Sequence, residues 1–179
     1  MMDLRDPYTS GHERRVGEIS AAIAAEIGLD ANRQHGLRVA GAMHDVGKIT
    51  VPSAILSKPG RLSPIEFQLV HTPPQQCYEV PKGIEFPWPV AEVAYQHHER
   101  MDGGGYPRGL KGEEIVLEAR ILAAAGGIEA MSTHQPYRPG LVTDKALAEI
   151  ERGCGTLYDA NVADACMRLF RERHYQMPE

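Results

Sequence analysis

No apolar run in this 179-residue chain approaches the roughly 20 residues needed to cross a bilayer, which excludes a helical membrane span. The opening stretch, MMDLRDPYTSGHERR, is charged and polar and lacks the apolar core of a secretory signal. Cysteine is scarce. Cys77, Cys154 and Cys166 are an odd number at unrelated spacings without a CxxC pair, which argues for reduced thiols in a cytoplasm rather than a disulfide scaffold or zinc-thiolate site. A basic surplus is also missing. The net charge of −5 and pI of about 5.9 exclude DNA or RNA binding through a broad basic face, yet allow a small phosphate ligand held by a few local cations. No repeat, low-complexity segment or sustained period-2 alternation occurs. With 42% hydrophobic and 24% charged residues, the length suits one domain spanning 1–179 around a single core.

What is present is helical periodicity. Ser10 and Glu13 have capping-box spacing, and Val16, Ile19, Ile23 and Ile27 follow as one stripe up to a C-capping Gly28. His12 falls on that stripe. A second helix is expected over 30–46, with Leu37, Ala40 and His44 in line and Gly47 as its stop. Ser63-Pro64-Ile65-Glu66 signals a third start, with Leu69 and Val70 inside and an end near Pro73-Pro74, since proline cannot extend a helix. A fourth helix, over 88–100, sets Val90, Val93, Ala94 and His97 on one face. A fifth, over 114–131, carries Leu117, Ile121, Leu122, Ala125 and Ile128; Thr143 caps a sixth that ends at Gly153. The seventh, over 160–174, carries Val162, Cys166, Leu169 and Phe170. The expected fold is all-α, a bundle of about seven helices with long functional loops at 47–63 and 101–115.

Polar residues interrupt the apolar stripes. One histidine there reads as a hydrogen-bonded core residue, but His12, His44 and His97 lie on three separate helices, beside Asp45 and His98. Burying so many polar groups unpaired would cost on the order of several kcal/mol. A divalent cation satisfies them together, since neutral imidazole and carboxylate are its ligands. The pairs His44-Asp45 and His97-His98 let one helix address two neighbouring metal positions, and two-metal centres are typical of phosphate-ester hydrolysis. Lys48 is either a solvated lysine or a contact to an anionic substrate at the metal edge. The loop RMDGGGYPRGLKGEE from Arg100 to Glu114 follows directly. Its glycines, Gly105 among them, permit close backbone approach beside Tyr106 and Pro107, and Arg100, Arg108 and Lys111 are cations for phosphates. Alone it would be a surface turn; after His97-His98 it reads as a substrate-binding lip.

The segments RDPYTSGH at 5–12, HDVGKI at 44–49, PSAILSKPGRLSPIEF at 52–67, GIEFPWPVAEVAYQHHERMDGGGYPRGLKGEEI at 83–115 and PYRP at 136–139 together resemble the HD-GYP family. These are bacterial cyclic di-GMP phosphodiesterases of the HD metal-dependent phosphohydrolase superfamily. The resemblance covers nearly the whole chain. It implies an HD-domain helical bundle with a GYP-containing loop and a centre of two or three metals, often iron or manganese. The implied reaction is hydrolysis of cyclic di-GMP to the linear dinucleotide or GMP. By position, His12, His44, Asp45, His97 and His98 match metal ligands; Asp45 and Lys48 are the implied catalytic residues, with Lys48 near the metals and the scissile phosphate. Tyr137 and Arg138 match a ligand-contacting segment. Tyr8 stands where three-metal members have glutamate, so two metals are the expectation.

Two ligand positions depart from the family. Pro73 replaces a histidine, and Gly126 replaces a metal-bridging aspartate. His71 is about 200° away around a helix, and Glu129, one turn on, would reach the centre only at longer range. Cys77 replaces a small residue, Pro81 an apolar one, and Gly126-Gly127 costs on the order of 1 kcal/mol per glycine within a helix. These changes read together as relaxed constraint. The expectation is a weakened phosphodiesterase retaining one metal or none. Its alternative is a degenerate domain that senses cyclic di-GMP or binds a protein partner through the GYP loop. A different HD phosphohydrolase is disfavoured by the complete GYP segment. An upstream sensor or receiver domain is expected to be lacking.

Overall fold

The computed structural model describes residues 11–47, 73–133 and 139–178, with single positions 55 and 63. Among these residues there are seven α-helices and no named strand, in agreement with the all-α expectation. They are α1 His12–Ile27, α2 Ala31–Met43, α3 Pro73–Lys82, α4 Val90–Gln96, α5 Leu117–Thr133, α6 Pro139–Arg152 and α7 Ala160–Met167. A 3-10 turn covers Gly112–Glu114, and a π turn, Arg168–Glu172, extends α7.

Several boundaries differ from the periodicity reading, each for a local reason. Helix α1 opens at His12 on Gly11, which is left-handed with φ 77° and provides no side-chain cap; Ser10 lies outside the described residues. Helix α2 has a side-chain cap: the Asp30 carboxylate accepts from Asn32 N at 2.9 Å and Arg33 N at 3.0 Å. It ends at Met43, three residues short of Val46, with His44 as its C-cap. Pro73 and Pro74, read in sequence only as a stop, are the first residues of α3. Proline lacks the N–H that a first turn leaves unused, so it starts a helix as readily as it ends one. The helix expected from Ser63 falls mostly outside the described residues. Pro81 sits buried in the last turn of α3, where only one more residue follows within the helix. Helix α6 likewise begins at a proline, Pro139, four residues before the Thr143 start.

Helix α5 is the centre of the core. Its Ala119, Ile121, Leu122, Ala124, Ala125 and Ile128 are almost fully buried, and it touches α1, α4, α6 and α7. Val16, Ile19 and Ile23 of α1 and Ile150 of α6 complete the packing. Each such aliphatic side chain contributes about 1.5–3 kcal/mol by leaving water. The broadest helix contact is α1 with α2. There a Cβ added to Gly41 would stand 2.4 Å from Gly17 Cα, so the two backbones touch. That crossing brings the start of α1, with His12, against the end of α2, with His44. No described helix is long and apolar enough to cross a membrane.

Candidate metal centre and its loop

Three helix ends deliver the histidines. His12 opens α1, while His44 and His97 are the C-caps of α2 and α4. His44 and Asp45 are each 4% exposed and His97 is 7% exposed. Every ring is anchored through Nδ1. That atom of His44 bonds Gly41 O at 2.7 Å, that of His97 bonds Ala94 O at 2.7 Å, and that of His12 bonds the Glu129 carboxylate. A carbonyl or ionised carboxylate only accepts, so each Nδ1 carries a proton and Nε2 is the atom left to face a metal. Those Nε2 atoms converge: His12 and His44 place theirs 3.8 Å and 3.5 Å from Asp45 Oδ2.

Ligand atoms of His12, His44 and Asp45 all lie within 4.8 Å of one another. A cation about 2.0–2.2 Å from each would close that span. His97 stands at the edge, its ring 5.0 Å from the His44 ring and its buried Nε2 without any hydrogen-bond partner. Burial, then the neighbouring His98 and His44, hold the His97 pKa well below the usual histidine range. The ring is therefore neutral, and an orphaned lone pair of this kind costs about 1–3 kcal/mol unless something coordinates it. The donor set of imidazole nitrogen and carboxylate oxygen fits iron, manganese or zinc. His98 adjoins the centre, with its ring 3.9 Å from that of His97, but lies outside the tight three-residue group.

The residues around the two departures separate on inspection. Among the described residues a Cβ at Gly126 meets nothing within 4 Å, so the position where the family resemblance implies an aspartate is open to them. At Gly127 a Cβ would stand 3.1 Å from the Tyr158 hydroxyl. Gly127 thus has a packing reason, which corrects the reading of both glycines as relaxed constraint. Glu129 stays outside the ligand group, as its longer range implied, and touches it through His12. It is 1% exposed and accepts from Arg15 Nε at 2.8 Å while its other oxygen holds His12. Burial pushes its pKa up, but His12 and Arg15 outweigh that and leave it lowered, so the carboxylate is ionised. Cys77 is also not idle: its buried Sγ accepts from Gly47 N at 3.2 Å and docks α3 on the His-Asp turn. Pro73 is the first residue of α3. Tyr8, Lys48, His71, Tyr137 and Arg138 lie outside the described residues.

The glycine-rich loop folds back over the histidine pair. At Gly105 an added Cβ would come within 2.5 Å of Arg100 N, Glu99 Cα and His98 O, so no side chain fits. Tyr106 N then donates to His98 O at 3.3 Å, and the Tyr106 ring stacks on the His98 ring at 4.7 Å and 20°. The peptide to Pro107 is cis. Burial, with the Asp45 charge second, pushes the Tyr106 hydroxyl up to about 12 against the nearby Arg100. Arg100 lies over the Tyr158 ring at 5.1 Å, and its Nη1 is buried without a hydrogen-bond partner among the described residues. Arg108, expected as a cation for phosphates, has protein partners of its own. Its guanidinium pairs with Glu92 at 3.2 Å and covers the Tyr95 ring at 5.0 Å. Lys111 packs its stem against Gly103.

Sequence reasoning missed Glu99. It is 2% exposed, and its two oxygens accept from Arg108 N at 2.7 Å and Leu110 N at 3.0 Å. An acid directly after a histidine pair and ahead of a glycine run was the available signal. On the loop's other flank, Asp102 N donates to Thr156 O at 2.8 Å and Met101 N to Leu157 O at 3.4 Å.

With this geometry in place, comparison with known proteins is informative. The family model for the HD domain matches residues 1–162. The cyclic di-GMP phosphodiesterase response regulator RpfG of Xanthomonas campestris pv. campestris is 37% identical over 169 residues, covering 93% of this chain and 45% of that protein. The 3'3'-cGAMP-specific phosphodiesterase 3 of Vibrio cholerae is 35% identical over 181 residues, covering 99% of this chain and 39% of that one. This chain therefore spans less than half the length of either relative. Among solved structures, an HDG"Y"P protein from Bdellovibrio bacteriovorus superposes with a TM-score of 0.73 at 19% identity, over 90% of this chain and 52% of that one. The fold agrees with these matches, and the chain belongs to the HD domain family as one of its HD-GYP members.

Proposed function

We propose that this chain is a metal-dependent phosphodiesterase that hydrolyses cyclic di-GMP to the linear dinucleotide or GMP. The observation that carries the reading is the shared anchoring of His12, His44 and His97. Three rings are held by Nδ1 so that Nε2 turns toward or borders Asp45. His12, His44, Asp45, His97 and His98 would hold iron or manganese. Such a cation, when bound, lowers the pKa of an attacking water and offsets phosphate charge. Asp45 then orients the water and Lys48 meets the phosphate, while Gly105, Tyr106 and Pro107 form the wall for the dinucleotide. Arg100 supplies the donor for a second phosphate, with Tyr137 and Arg138 on the ligand-contacting segment. One relative is named for cyclic di-GMP and the other for 3'3'-cGAMP, so the choice of cyclic dinucleotide is part of the proposal.

A second reading has its own support. The open space at Gly126 and the proline at position 73 leave the centre two ligands short of the family set. On that reading the chain binds cyclic di-GMP, or a protein partner through the GYP loop, without turnover. Anaerobic loading with Fe(II) or Mn(II), followed by metal analysis and cyclic di-GMP turnover, decides between them. Robust hydrolysis with two metals per chain rejects the second reading; binding without hydrolysis rejects the first. The double variant Pro73→His with Gly126→Asp should raise both metal content and rate. If neither changes, these two positions are not the deficit.

A further inference from the structure

His44 and His97 take their anchors from their own helices. Each sits at a C-terminus, where the last carbonyls lack helical partners, and each uses the carbonyl three residues back. His12 has no such resource. It opens α1, so no turn of its own helix precedes it, and a helix N-terminus presents donors rather than acceptors. The acceptor comes instead from 117 residues away, from Glu129 on the buried α5. Arg15, one turn along α1 from His12, holds the other carboxylate oxygen at 2.7 Å, so α1 fixes both oxygens. One turn before Glu129, position 126 has no side chain, and no described residue fills the space beside it.

We propose that Glu129 is the positioning residue for His12. Its carboxylate keeps Nδ1 protonated and Nε2 turned to Asp45, and it supplies from behind a ligand the negative charge that position 126 no longer supplies as one. This inference rests on the metal reading above. A plain α1–α5 ion pair between Arg15 and Glu129 is the competing account, and it makes no demand on the imidazole tautomer.

Long-range 15N–1H correlation on the labelled full chain reads the tautomer of each ring, with His12→Asn assigning the His12 signals. Wild type and Glu129→Gln should show the Nδ1–H form of His12, because the carboxamide oxygen still accepts. Glu129→Ala should show the Nε2–H form or a mixture, with the His44 and His97 signals unchanged. Titration with Mn(II) alone should give an affinity about 10–100-fold weaker for Glu129→Ala, and a smaller loss for Glu129→Gln. An unchanged His12 tautomer in Glu129→Ala overturns the proposal. If that variant does not fold, a Glu129→Gln protein with wild-type Mn(II) affinity overturns the charge contribution. Failure of the wild type to bind Mn(II), with the tautomer shift intact, sinks the metal reading and leaves the positioning role standing.

Discussion

At the scale of the residue, the three buried histidines are distinguished by which ring nitrogen is already engaged. His97 is the sharpest case, since its Nε2 faces no protein partner. Replacing it by alanine removes a group whose burial is unfavourable without metal. His97→Ala should therefore lose metal affinity, read by Mn(II) titration, while leaving apo stability within about 1 kcal/mol of wild type by urea unfolding. The adjacent glycines at 126 and 127 give a paired test. Gly126→Ala enters open space within a helix and should stabilise by up to about 1 kcal/mol. Gly127→Ala meets the Tyr158 hydroxyl and should give no such gain in thermal unfolding. The candidate ligands were legible in sequence because a histidine on an apolar stripe is conspicuous. Glu129 was legible only as a longer-range carboxylate and Glu99 not at all, because a carboxylate becomes a burial candidate only once its partners, His12 or Arg108 N, are known to be near.

At the scale of the element, the site is an assembly of helix ends, and its precision depends on how closely the helices approach. The contact of Gly41 with Gly17 sets the separation of α1 and α2. Gly41→Ala should force that pair apart, destabilise by about 1–3 kcal/mol, and weaken metal binding although it touches no ligand. Equal metal affinity in that variant, measured on the folded fraction, would show that the helix ends adjust independently. The cores of α1, α5 and α7 were readable from 3.6-residue spacing alone. Helix α3 was not: proline reads as a stop in sequence, and only the chain direction on either side tells a stop from a start.

At the scale of the whole molecule, binding is linked to stability. If the folded chain alone holds the cation, Mn(II) at a hundred times its dissociation constant should add about 2.7 kcal/mol, reversed by chelation and visible in the melting temperature. Alkaline stability follows from Cys166, whose burial pushes its thiol up to about 12. The unfolded thiol ionises near 8.5–9, so above that pH the unfolded chain binds fewer protons than the native one. Stability is therefore full below about pH 8.5 and falls by at most about 1.4 kcal/mol per pH unit up to 12. Cys166→Ser should flatten that slope. Thiol labelling of the native protein at pH 8 should modify the exposed Cys154 and spare Cys77 and Cys166.

The two flanks of the GYP loop have a kinetic consequence. Glu99 clamps one side by two backbone amides, and the turn at Thr156 and Leu157 clamps the other. A segment held in this way is preorganised, and its ordering entropy is spent at folding rather than at ligand arrival. Amides of Asp102, Arg108 and Leu110 should then exchange with solvent as slowly as those of a core helix, with or without cyclic di-GMP. Ligand association should follow a single exponential, because the loop offers a finished wall and has no closing step to wait for.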